Sequence, residues 1–196
     1  MPDFFSPLPE FAEICGEKWE LDTDFRVWLK IEKILANSDG KGGAALAECM
    51  AAAYRRLPPE PRRAADALLW FLSCGRTGEY TAASEDKDAD TAARHIRALD
   101  AEYDSEYIWS AFYAQYRIDL TRERLHWWKF CALLDGLDKN CRLSQIMAYR
   151  CVDLSKISDR ETRMMYAKMR KRYALPDTRS EDERAAEVAE SFADLM

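Results

Sequence analysis

His126 stands five residues before Cys131 and beside Trp127 and Trp128, and an imidazole near a thiol could in principle do nucleophilic chemistry. Such a pair needs mutual contact and usually a third group to orient the base. Five residues along one helix leave the two side chains well apart in azimuth. His126 therefore reads as a structural hydrogen-bonding residue near a helix start. Asp100, Glu102, Asp104 and Glu106 form the tightest carboxylate set. An acid/base pair needs two carboxyls whose surroundings push their pKa values apart. Residues at alternate positions do not share a helix face, so a solvated helix start accounts for this cluster.

Other constellations fall short of their chemistry. Asp86, Asp88 and Asp90 alternate as in a calcium loop. No glycine follows at the turn position and no glutamate at the bidentate position. Gly40, Gly42 and Gly43 lack the preceding strand and the lysine spacing of a phosphate loop. There is no CxxC pair, and the histidines number two, His95 and His126, so no structural zinc is expected. The reading is a protein without catalytic residues, metal or cofactor.

Two features point to binding instead. Arg160, Arg163, Lys168, Arg170, Lys171 and Arg172 give a basic helix over 160–172, which could face phosphates or serve as a solvated face beside the acidic tail. Segment 143–157 resembles a helix-turn-helix in its small residue, Ala148, but Val152 and Asp153 stand where the turn glycine belongs. Trp109, Phe112, Tyr113, Trp127, Trp128 and Phe130 crowd two successive helices. So many rings are hard to hide, and those left outside would form an apolar patch of the kind that marks partner sites. Trp109, Tyr113 and Trp128 are the candidates, with Trp128 expected to be displaced outward.

The whole chain limits the class. It has 196 residues, 48% of them apolar and 12% aromatic, a profile for burying a real core. A net charge of -6 disfavours general binding to nucleic acid. The longest apolar runs, at 64–65 and 67–72, fall far short of the ~20 residues of a membrane span. Residues 1–9 lack the basic start and apolar stretch of a signal peptide, so a cytoplasmic setting is expected. There Cys15, Cys49, Cys74, Cys131, Cys141 and Cys151 would be free thiols.

The elements that must position these residues are helices. Apolar residues at three- and four-residue spacing predict helices near 25–36, 44–56, 61–74, 104–116, 121–135, 143–151 and 160–173. Asp24 and Asp159 can cap two of them, Pro61 suits a first turn, and Gly75 and Gly136 close two others. The stretch 61–74 is apolar nearly all round and should be central. Ser180 with Glu183 forms a capping box for a last helix, in a helical tail at 176–196. Residues 1–21 read as an irregular arm and 76–98 as a mobile connection. Alternating β-branched runs are absent, so no strand is expected. The fold class is all-α: an irregular multi-helix bundle of about seven helices, forming one domain over 1–175.

The central aromatic region also carries a resemblance. Ile108-Trp109-Ser110-Ala111-Phe112-Tyr113-Ala114-Gln115-Tyr116-Arg117-Ile118-Asp119-Leu120, followed by Leu125-His126-Trp127-Trp128-Lys129-Phe130, resembles the bacteriophage gene-fifteen protein family. Asp24-Phe25-Arg26, Ala132-Leu133-Leu134-Asp135-Gly136-Leu137 and the stretch 147–153 with Arg150 are similar too, so the likeness covers roughly residues 20–155. In the similar pattern a glycine often stands where this chain has Arg117; if the turn needs positive φ there, arginine is strained. The resemblance implies a tail-module protein of phages and prophages of low-GC Gram-positive bacteria. It implies a tail-assembly chaperone or minor tail component, acting without turnover, with another tail protein such as the tape-measure protein as partner. It assigns no catalytic residues. The alternative is a regulatory or DNA-associated module using helix 160–172.

Overall fold

The computed structural model describes residues 6–38, 42–76 and 98–176. The expected tail at 176–196, with its capping box, and the Asp86–Asp90 alternation lie essentially outside these residues, as does most of the connection at 76–98.

The chain begins with a hairpin, contrary to the expectation of an irregular arm without strands. Strands β1 (Phe11–Ile14) and β2 (Glu17–Glu20) pair antiparallel, with Ala12 opposite Trp19 and Ile14 opposite Glu17. Cys15 at φ 55° and Gly16 at φ 79° supply the two left-handed residues of a tight hairpin turn. Ala12 and Ile14 are buried while Phe11 and Glu13 face out, so the alternation has period two over four residues only. β1 lies against a helix rather than a larger sheet. That tertiary partner makes so short a hairpin stable.

Seven α-helices follow among the described residues. They are α1 (Phe25–Ala36), α2 (Gly42–Ala53), α3 (Pro61–Leu72), α4 (Ser105–Tyr116), α5 (Trp127–Asp135), α6 (Arg142–Cys151) and α7 (Arg160–Arg172), with one turn of 3-10 helix at Leu154–Lys156. The expected caps are present at two starts. Asp24 accepts the Arg26 N–H on α1, and Asp159 accepts the Thr162 N–H on α7. Each satisfies a donor that a helix start leaves without a partner.

α1 and α5 start side by side. The Phe25 N–H donates to the Leu125 carbonyl (3.0 Å) and the Trp127 N–H to the Thr23 carbonyl (2.8 Å). The segment 121–126, expected to be helical, is instead turn and extended chain, which allows this exchange. Below the two starts lies a core of rings. Phe25 stacks on Phe130 at 4.7 Å, Phe130 on Phe112 at 5.1 Å, and Trp28 meets Phe71 at 4.4 Å. Trp28, Phe71, Phe112 and Phe130 are fully buried, each contributing roughly 1.5–3 kcal/mol of transfer free energy. α3 is less enclosed than expected: Phe71 and Leu68 face in, while Trp70 is turned to the surface.

Gly75 closes α3 at φ 72°, and a Cβ there would come within 2.9 Å of the Trp128 ring. Both the left-handed backbone and the ring require glycine at this position.

Candidate partner-binding face

α4 presents two faces. Ile108, Ala111 and Phe112 are buried against the core. On the opposite side Trp109 and Tyr113, one turn apart, stack at 5.5 Å with their planes 11° apart, and both remain substantially exposed at 38% and 45%. Tyr103, just before the helix, is exposed as well.

The exposed pair is held in place. Arg117 ends α4 in the left-handed region at φ 60°, where the resemblance places glycine. The chain then turns back so that Asp119 meets the outer face. The Trp109 indole N–H donates to Asp119 Oδ1 at 3.0 Å. The same oxygen accepts the Thr121 N–H (3.0 Å) and hydroxyl (2.6 Å). The Thr121 hydroxyl and then the Trp109 indole hold the Asp119 carboxyl below its usual range. The indole thus has a fixed orientation although its face is open, and an ordered ring loses less entropy when a partner covers it.

At the other end α4 is fastened by an ion pair that sequence reasoning missed. Asp104, expected at a solvated helix start, is completely buried, and Arg150 of α6 is nearly so. Arg150 forks onto Asp104 with N–O distances of 2.6 and 2.8 Å. Its remaining donors reach the Tyr173 carbonyl (2.6 Å) and the Ala98 carbonyl (3.0 Å), and Asp104 Oδ2 also accepts the Asp100 N–H (2.9 Å). One planar guanidinium therefore joins the start of α4, the end of α6 and the residue after α7, a task for which lysine lacks the fork. Arg150 stood in the resembling stretch; its partner had no sequence signal, because 46 residues separate the two.

Trp128 is a correction. The sequence reading displaced it outward as a partner-binding residue, yet it is only 6% exposed. Its indole donates to the Phe71 carbonyl (2.8 Å), as Trp127 donates to Leu72 (2.9 Å). Two carbonyls at the end of α3 provide internal acceptors for both indoles, so neither ring needs water. Trp70 packs edge-on against Trp128 at 5.3 Å and takes the outer position.

The remaining candidates separate. His126 caps α5: its Nδ1 accepts the Trp128 N–H (3.1 Å), which leaves Nε2–H to donate to the Pro9 carbonyl (3.0 Å). Burial pulls its pKa below the usual histidine value. Cys131 lines a cleft with Cys74, and His126 is not among the residues of that cleft. Glu102 pairs with Lys33, and Asp100 Oδ1 accepts the N–H groups of Glu102 and Tyr103, so the four carboxylates share no site. Among the described residues no group of metal-ligating side chains assembles, and no helix is long and apolar enough to cross a membrane. α7 has no buried residue, so the basic segment is a surface helix.

Another missed residue is Glu32 on α1. It lines two adjoining clefts of about 520 and 370 Å³, together with Leu29, Leu99 and Ala101. Burial raises its pKa to about 7.

The fold and the α4 face define an all-α, multi-helix protein with a partly aromatic surface. The family described as Bacteriophage Gp15 protein matches residues 4–175, nearly all of the described chain, and the protein belongs to that family of phage proteins. Neither the curated proteins nor the solved structures contain a match.

Proposed function

We propose that this phage protein acts in tail assembly, without turnover, by binding another tail protein through the outer face of α4. The observation that carries this reading is the stacked, exposed Trp109–Tyr113 pair, oriented by Asp119. The preferred partner is a long helical protein such as the tape measure, whose amphipathic segments need cover before the tube encloses them. An aromatic face on a rigid helix suits such a segment. The acidic net charge keeps the complex soluble in the host cytoplasm.

The test is co-expression with a long helical tape-measure protein from the same phage genome. Wild-type chain should retain that partner in a soluble complex. The double variant Trp109→Ser, Tyr113→Ser should fold normally and lose it. A partner that stays insoluble and unbound beside the wild type, or binds the double variant equally well, removes the proposal.

A DNA-associated role has one observation in its favour, the wholly surface position of basic α7. It calls for salt-dependent retention of DNA that vanishes when Arg170, Lys171 and Arg172 are neutralised.

A further inference from the structure

Glu32 is the only acidic residue of α1, and it sits where two clefts adjoin. The clefts, of about 520 and 370 Å³, share Leu29, Glu32, Leu99 and Ala101. Leu72 and Leu134 extend the apolar wall of the smaller one. The other charges around them are already engaged. Arg76 and Asp135, the remaining charged residues of the smaller cleft, pair with each other at 3.5 Å. In the larger one Lys33 is paired with Glu102 and Arg26 with Asp24. Exposed Lys30 leaves α1 roughly 200° round the helix from Glu32. Among the described residues Glu32 has no hydrogen-bond or ion-pair partner.

A carboxylate among leucines without a counter-ion is costly, because its charge has lost water and gained nothing in return. Burial accordingly lifts the Glu32 pKa to about 7, and no neighbouring cation opposes the rise. The smaller cleft therefore carries one uncompensated negative group within apolar walls. Its complement is a cation on an apolar stem.

We propose that the adjoining clefts receive a lysine side chain from an apolar segment of another protein, with its ammonium on the Glu32 carboxylate and its methylene stem along Leu29, Leu99 and Leu134. Lysine fits better than arginine. A guanidinium would bring five N–H donors to a single carboxylate, whereas an ammonium brings three and can keep one in water. Burying the stem while the head meets a charge is the usual habit of this side chain. Cleft volume on both sides of Glu32 gives room for the residues that flank the lysine, which a free amine would leave empty. This site lies apart from the outer face of α4 and does not depend on the tail-assembly reading.

The experiment titrates the full chain with the acetylated, amidated peptide Leu-Leu-Lys-Leu-Leu at about pH 8, above the raised pKa of Glu32. Backbone-amide NMR shifts should change around residues 99–101 and 131–135. Replacing the peptide lysine by norleucine keeps the stem, removes the charge and should weaken binding about tenfold. Glu32→Gln should weaken the lysine peptide about tenfold and leave the norleucine peptide unchanged. Free butylamine, which has the same stem without flanking residues, should bind roughly tenfold more weakly than the peptide. The Trp109→Ser, Tyr113→Ser chain should bind the peptide as the wild type does. Equal affinity for the lysine and norleucine peptides in wild-type protein would overturn the proposal, whether or not Glu32→Gln folds. So would undiminished binding of the lysine peptide by folded Glu32→Gln, butylamine binding as tightly as the peptide, or loss of the peptide from the α4 double variant.

Discussion

α4 carries five aromatic residues and α5 three, and the two helices use them in opposite ways. α5 turns Trp127, Trp128 and Phe130 inward, with both indole N–H groups satisfied by carbonyls at the end of α3. α4 buries Phe112 but leaves Trp109 and Tyr113 outside, with the Trp109 indole satisfied by the Asp119 carboxylate. The difference lies in the available acceptors. An indole can enter a core only where an acceptor awaits it, because an unpaired buried N–H costs about 1–3 kcal/mol. Aromatic density therefore signals a core in α5 and a surface in α4. α4 draws its anchorage from the inner stripe and the Asp104–Arg150 pair.

The sharpest test of this contrast removes one ring from each helix. Trp128→Ala should cost about 3–5 kcal/mol, as large core truncations do. Trp109→Ala should stay within roughly 0.5–1 kcal/mol, as surface changes do. Urea denaturation measures both, and equal losses would erase the distinction. Arg150→Ala tests the other anchor. It strands Asp104 as a buried, uncompensated carboxylate and should cost about 3–5 kcal/mol. If stability is unchanged, α4 does not depend on the pair.

Glu32 faces the cleft beside α5 and gives a pH signature. Its folded pKa, raised to about 7, exceeds the ordinary carboxylate value. The unfolded chain therefore releases its proton first as pH rises. Stability linked to this group is fully present below about pH 4.5 and is lost progressively up to and through pH 7, by on the order of 3 kcal/mol. Glu32→Gln should flatten that fall in denaturation curves between pH 5 and 8, a range chosen around the ordinary and raised values. His126 pulls the other way: its lowered pKa makes the unfolded chain take up a proton first on acidification, so its contribution falls as pH drops below the usual histidine range. A difference curve between wild type and Glu32→Gln isolates the carboxyl.

The smallest effect belongs to the end of α4. Arg117 holds φ 60°, and Arg117→Gly should relieve about 1 kcal/mol of left-handed strain. For a chain of this size that is a rise of roughly 2–4 °C in Tm. An unchanged or lowered Tm would mean that the arginine side chain offsets its own backbone cost.

Much of the secondary structure was legible because its causes are local. Asp24, Asp159, Pro61 and Gly136 punctuate helices through their own geometry, and Phe25–Trp28 or Ile108–Phe112 mark an inward stripe by spacing alone. The segment 121–126 escaped because its turn and bridge are fixed by Thr23 and Asp24 on a distant element. The hairpin escaped because four residues per strand carry too little alternation without α3 beside them. In the candidate site Trp109 and Tyr113 were legible as rings flanking an inward stripe. Trp128 was misplaced because its acceptor, the Phe71 carbonyl, lies 57 residues away.

By itself the sequence determined the all-α class and the approximate positions of most helices, since backbone preference and apolar period act over a few residues. Only the tertiary structure decided which rings are hidden and that Asp104 is matched to Arg150. Burial and pairing depend on which surfaces meet, and those surfaces come from residues far apart along the chain.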